Sequence, residues 1–274
     1  MTEFIWAGED RLSDVLSLWR QGFPDDSEED IREFWYTLKA EARCLMLSVD
    51  NEACSMAFVI PAKMNGAVVW YVYAAVTARA YRGRGYFAAL LEEIARRAEA
   101  ENVSGLFLRP AAPSLFTYYA RLGFVPLFYR EEVKCEADEL YTCGYELKWE
   151  SVTDDVAEQR NRWLAMLGIP SVTWSEAVTA YAQSLLEDGG VLVSDKGLVM
   201  YRRDGDGIEI TELLCATKDA DDVLSSLSRY FACRIKCVCL PPVTTDNAKT
   251  YGMFRATGAT EVPHGTWYMG FSLE

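Results

Sequence analysis

The sequence predicts an α/β protein of the α+β kind, built from two successive units of one type. Three observations carry this. Strand-like and helix-like stretches alternate along all 274 residues. One stretch, Tyr71 to Leu91, joins an apolar β-branched strand to an amphipathic helix through a basic glycine turn. The element order of the first half then returns in the second.

Taken in order, Thr2–Trp6 reads as a first strand. Asp10 to Phe23 carries Leu12, Val15, Leu16 and Trp19 at helical spacing, and Pro24 ends it. The acidic run from Asp25 starts a second helix striped by Ile31, Phe34, Trp35 and Leu38. Cys44–Val49 and Cys54–Ile60 are strands around an Asp50-Asn51 turn. Gly66 sets off the strand Ala67–Val76, and a helix runs from Tyr86 to Asn102. Gly105–Leu108 is a short strand and Pro113–Leu122 a short helix stopped by Gly123. Val125–Val133 and Tyr141–Trp149 read as a hairpin. Polar residues from Glu150 mark the boundary, giving units 1–149 and 150–274.

The second unit reads as helices Val156–Leu167 and Ser175–Leu186, then strands Val191–Ser194, Leu198–Arg202 and Ile208–Cys215. Helix Ala220–Ala232, strand Ile235–Leu240, helix Asn247–Thr257 and strand Thr266–Leu273 follow. On this reading Gly258 corresponds to Gly123, and Tyr251 sits near the position matching Tyr119.

Half the residues are apolar and 13% aromatic, enough for a sizeable core. A net charge of −14 argues against a nucleic-acid partner, which needs a basic face to neutralise phosphates. No run approaches 18 apolar residues and the first residues lack a secretory pattern, so no membrane is expected and the cytoplasm is. The eight cysteines lack paired metal-ligand spacing and the single histidine is His264, so reduced core thiols and no metal are expected.

The turn carries the chemistry. A strand leading through Arg82-Gly83-Arg84-Gly85 into a helix start at Tyr86 presents unpaired backbone N–H groups and the positive end of the helix dipole to an anion. Glycines let the backbone approach closely, and the arginines add charge. An ordinary connection with two solvated arginines is the plainer reading of those four residues alone.

Strand, then RGRGYFAALL, then a strand ending LRPA, then FTYYARLGF resembles the GNAT superfamily of N-acetyltransferases. That resemblance covers residues 1 to about 148. It implies units with a mixed, mostly antiparallel central sheet flanked by helices. In the family a Q/R-x-x-G-x-G/A sequence holds the pyrophosphate of acetyl-coenzyme A. Arg82, Gly85 and Phe87 fill those positions, with Phe87 departing from the usual small residue, so the implied coenzyme turn is Arg82, Gly83, Arg84, Gly85, Tyr86 and Phe87. Ala75, Val76 and Thr77 end the strand whose backbone would pair with the pantetheine arm, and an N–H there would polarise the thioester. Tyr119, four residues before Gly123-Phe124, matches the family tyrosine that protonates the departing thiolate.

The resemblance thus implies acetyl transfer from acetyl-coenzyme A to a primary amine of a small molecule or peptide. The acidic loop Asp25, Asp26, Glu28 and Glu29 suits a cationic acceptor, and it reads equally well as a solvated helix start. In the second unit the matching turn, Ala216 to Asp222, has three aspartates and no glycine, so no coenzyme binding is expected there. A non-catalytic acyl-coenzyme-A sensor or scaffold is the alternative. A nucleotide binder ranks low, because no GxxxxGK[S/T] or GxGxxG occurs. The general base, the acyl length and the oligomeric state are left open.

Overall fold

A computed structural model describes the chain apart from residues 135–145, 187, 243–247, 272 and 274. The elements of the first half are β1 (Thr2–Trp6), α1 (Leu12–Gly22), α2 (Glu28–Thr37), β2 (Arg43–Val49), β3 (Glu52–Met64), β4 (Ala67–Thr77), α3 (Tyr86–Ala100), β5 (Gly105–Leu108), α4 (Pro113–Ala120) and β6 (Val125–Lys134). The second half holds β7 (Glu150–Ser151), α5 (Val156–Leu167), β8 (Val172–Thr173), α6 (Glu176–Ser184), β9 (Gly190–Val193), β10 (Gly197–Asp204), β11 (Gly207–Cys215), α7 (Ala220–Phe231), β12 (Arg234–Leu240) and β13 (Lys249–Ala256).

Local chemistry sets the joints. Asp50 and Asn51 both take positive φ, 51° and 68°, which is the two-residue hairpin geometry that Asp and Asn tolerate. Asn65 and Gly66 do the same between β3 and β4. Ser27 and Asp30 form a reciprocal capping box at the start of α2.

Two compact units result: Met1–Pro126 with Met253–Pro263, and Leu127–Gly252 with His264–Glu274. In the first, β1, β2, β3 and β4 pair antiparallel, β5 lies parallel to β4, and Met253–Ala256 of β13 pairs antiparallel with β5. In the second, β7, β9, β10 and β11 pair antiparallel, β12 lies parallel to β11, and Glu131–Lys134 of β6 pairs antiparallel with β12. The two topologies match, and each unit takes its sixth strand from the other half of the sequence. This division differs from the expected boundary at Glu150, because a polar stretch signals exposure and says nothing about which sheet accepts a later strand.

Each unit has its own core. Leu45, Leu47, Val59, Leu90, Leu91, Ile94 and Leu106 centre the first; Val199, Ile208, Ile210, Leu213, Val223 and Leu227 centre the second. In the first, α3 is tied to β1 by Arg97, which donates from Nε to Glu93 Oε1 at 2.7 Å and from Nη2 to Phe4 O at 2.9 Å. Hydrogen bonds from Arg96 and then Arg97, opposed by partial burial, hold the Glu93 carboxyl at about 2. A depressed carboxyl contributes stability above its ordinary range near 4.5 and loses it as pH falls through about 2. Urea midpoints should therefore fall across that window, and Glu93→Gln should flatten the decline; an unchanged profile in the variant would remove Glu93 from the acid response.

Four expectations are corrected. Asn247–Thr257 is not a helix: its described part is β13, so Tyr251 lies on a strand and does not correspond to Tyr119. Thr266–Leu273 makes only bridges, at Trp267 and Tyr268. Of the expected strand Tyr141–Trp149, residues 141–145 lie outside the described residues and Glu146–Trp149 is irregular. β6 accordingly finds β12 as its partner.

Candidate active site

The site is built where β4 leaves β5. Their parallel pairing covers Trp70–Leu106 and Tyr71–Phe107, and β4 runs on to Thr77. A bulge accompanies the departure: the register with β3 shifts between Met56 and Phe58, and Ala74 takes φ 46°. Past this fork Ala75, Val76 and Thr77 stay fixed to β3. Ser55 Oγ donates to Val76 O at 2.9 Å and lies 2.8 Å from Thr77 Oγ1.

A short 3-10 turn, Arg79–Tyr81, then leads to the glycine turn. Gly83 and Gly85 have φ of 74° and 80°, and a Cβ added at either would meet nothing within 4 Å. Glycine is required here by conformation, with open space in front of it. No side chain caps α3, and no acidic residue lies in its first turn. The first helical hydrogen bond runs from Ala89 N to Gly85 O, so the amides before it face outward from a dipole end. Arg84 lies over the Tyr81 ring at 5.4 Å.

Arg82 does something else. Its Nε donates to Thr77 O at 3.0 Å and its Nη2 to Gln21 O at 3.3 Å. Gln21 Oε1 in turn accepts from Arg79 N at 3.0 Å. Arg82 and Gln21 thus fasten the end of α1 to the end of β4 and to the turn. Gln21 and Ser55 were not singled out from the sequence, because both act across long sequence separations with no local pattern.

Tyr119 on α4 is buried and packs in the same core cluster as Ala75, Tyr86 and Phe87. Its ring stands 6.1 Å from Phe87 and 5.7 Å from Phe124, both edge-on. Phe87 also stacks on Tyr118 at 6.0 Å. The aromatic departure at position 87 therefore joins the start of α3 to α4. Burial raises the Tyr118 phenol above its ordinary value.

On the α1–α2 side lies an aromatic group: Trp19 is 5.7 Å from Tyr73, 5.2 Å from Phe34 and 5.9 Å from Phe23. Trp19 Nε1 donates to Asp26 Oδ2 at 2.6 Å. Of the acidic loop, Asp26 is thus tied to the edge of the Trp19 indole, and Glu28 is paired with Arg32 at 2.7 Å.

The second unit repeats this frame without the turn. β11–β12 pairing ends at Ile210–Val238 while β11 continues to Cys215. The 3-10 turn Thr217–Asp219 runs directly into α7. Asp221 and Asp222 lie in the first turn of α7, and Lys196 bridges Asp219 and Asp222 at 3.4 and 2.7 Å. That helix start is already occupied by the protein's own carboxylates.

Residues 4–127 match the model of the acetyltransferase (GNAT) domain family. The match lies within the first half of the chain and bears out the GNAT resemblance there. No curated protein matches the sequence. Among solved structures, a probable N-acyltransferase from Enterococcus faecalis is similar over 94% of this chain and 73% of its own, with TM-score 0.77 and 15% identity. A GCN5-related N-acetyltransferase from Anabaena variabilis is similar over 93% and 72%, with TM-score 0.72 and 14% identity. Another from Kribbella flavida is similar over 93% and 70%, with TM-score 0.69 and 18% identity. These likenesses establish the fold. Among the described residues no helix is long and apolar enough to cross a membrane.

Proposed function

We propose that the first unit transfers an acetyl group from acetyl-coenzyme A directly to a primary amine of a small molecule or peptide. The observation that carries this is the bare, glycine-opened start of α3 beside the β4–β5 fork, with Tyr119 packed against its second residue, Phe87. The amides of Gly85 to Ala88 would hold the pyrophosphate, and the end of β4 would align the pantetheine arm as an added strand.

In the step itself the amine nitrogen bonds to the thioester carbon and the carbon–sulfur bond breaks. Tyr119 gives its proton to the departing thiolate, and the proton the nitrogen loses passes to water, from which the phenol is reprotonated. Asp26 at the edge of the aromatic group, with Asp25 next in sequence, favours a cationic acceptor. The second unit, with carboxylates at its helix start, binds no coenzyme A. The six described cysteines are free, which suits a cytoplasmic protein.

A panel of amines with thiol detection tests the activity. Tyr119→Phe should lower kcat about 100-fold or more with acetyl-coenzyme A binding retained. Equal turnover in the variant would remove Tyr119 as the acid. Coenzyme binding by wild type without turnover of any amine would replace the transferase by the sensor.

A further inference from the structure

The fork of the second unit already holds something. Glu212 lies two residues past the last β11–β12 pair and is fully buried, and a register shift in β11 falls beside it. Its carboxylate accepts two hydrogen bonds from Arg160 on α5, Nε at 2.7 Å and Nη2 at 2.9 Å. Against this pair runs the extended segment Trp267–Phe271. Tyr268 is buried, and that burial, with the nearby Glu212 charge, pushes its phenol well above its ordinary value. Gly270 has φ 81°, and a Cβ there would stand 1.9 Å from Arg160 Nη2 and 3.0 Å from Glu212 Oε1. Phe271 lies under the Arg160 guanidinium at 5.1 Å and stacks on Trp174 at 5.6 Å.

The backbone of the segment is bound as a strand ligand is bound. Trp267 N donates to Leu127 O at 3.1 Å, and Trp267 O accepts from Tyr129 N at 2.9 Å. Tyr268 N donates to Pro170 O at 2.8 Å, and Tyr268 O accepts from Val172 N at 2.9 Å. Trp174 Nε1 donates to Met269 O at 3.1 Å. The segment has no strand of its own beyond these bridges, so its backbone is held at Trp267, Tyr268 and the Met269 carbonyl, and its end by the Phe271 ring.

We propose that the second unit is a self-occupied binding site, whose fork keeps the chain's own Trp267–Phe271 as an extended peptide ligand clamped by Arg160 and Glu212. This does not rest on acyl transfer by the first unit. Glycine at 270 is the specificity determinant, since any side chain there meets the buried ion pair.

A protease recognition sequence inserted after the exposed Gly265 tests it on the full chain. After cutting, the fragment from Thr266 onward should stay with the body through gel filtration. Once washed off in mild denaturant, a synthetic 266–274 peptide should rebind, and the same peptide carrying Gly270→Ala should bind at least about 100-fold more weakly, the order of loss expected when a buried polar pair is displaced. Loss of the fragment on cutting, whether the body stays folded or aggregates, would overturn the proposal. So would equal rebinding of the alanine peptide.

Discussion

Replacing Gly85 by aspartate is expected to abolish acetyl-coenzyme A binding in a calorimetric titration that gives one site per wild-type chain. Two effects arise. Gly85 sits at φ 80°, which costs a residue with a Cβ about 1–2 kcal/mol of stability, in the free and the loaded protein alike. The effect on binding is charge. A carboxylate about 4 Å from a phosphate near a protein surface is opposed by about 4 kcal/mol, roughly three decades in affinity. The added side chain would meet open space, so the fold should survive with a melting temperature lower by only about 2–8 °C, the cost of the backbone alone. Gly85→Ala separates the two effects, since it keeps the backbone cost alone. Undiminished binding by the aspartate variant would place the phosphates elsewhere. Two sites per wild-type chain would show that the second unit binds coenzyme A despite Asp221 and Asp222.

The other large effect is on stability. Arg160→Met should destabilise the protein by about 3–5 kcal/mol, because it leaves Glu212 buried and uncompensated. Burial opposes the charge on Arg160, and Glu212 outweighs it, so the arginine is held ionised. For a protein of this size that loss corresponds to a melting temperature lower by about 5–10 °C. The double variant Arg160→Met, Glu212→Leu should recover most of it, since apolar residues of similar volume replace a pair whose attraction largely offsets its own desolvation. Val172 O then loses the hydrogen bond it accepts from Arg160 Nη1, which keeps recovery short of complete. Thermal and urea unfolding of the two variants decide the matter. A single variant within 1 kcal/mol of wild type would mean that Glu212 finds water or a proton with ease.

Much of this was legible where the signal is local. Gly105–Leu108 and Val156–Leu167 carry their own periodicity and punctuation, and both elements appear with those limits. The glycine turn and the bare helix start were legible because positive φ and missing acids leave marks in the letters themselves. β13 was not. Its consecutive buried residues Tyr251, Gly252, Met253 and Phe254 are those of a strand covered on both faces, and a short apolar run does not separate that from a buried helix. What decides is a distant partner: Phe254 lies over Gly105, where a Cβ would stand 2.1 Å from its ring. The roles of Arg82, Gln21 and Glu212 were hidden for the same reason. Each is defined by a group far along the chain, and one sequence alone does not display such pairs.

The exchange of sixth strands has a consequence for the order of events during synthesis. The first unit includes Met253–Pro263, so its sheet stays unfinished while the whole second half is being made. At 5–20 residues per second that interval is on the order of ten seconds. Through it the outer edge of β5, all four residues of which are buried in the finished protein, has no neighbour. A nascent chain in that condition is a natural client for a chaperone at the ribosome, and a fragment ending near residue 149 would keep that edge bare for good.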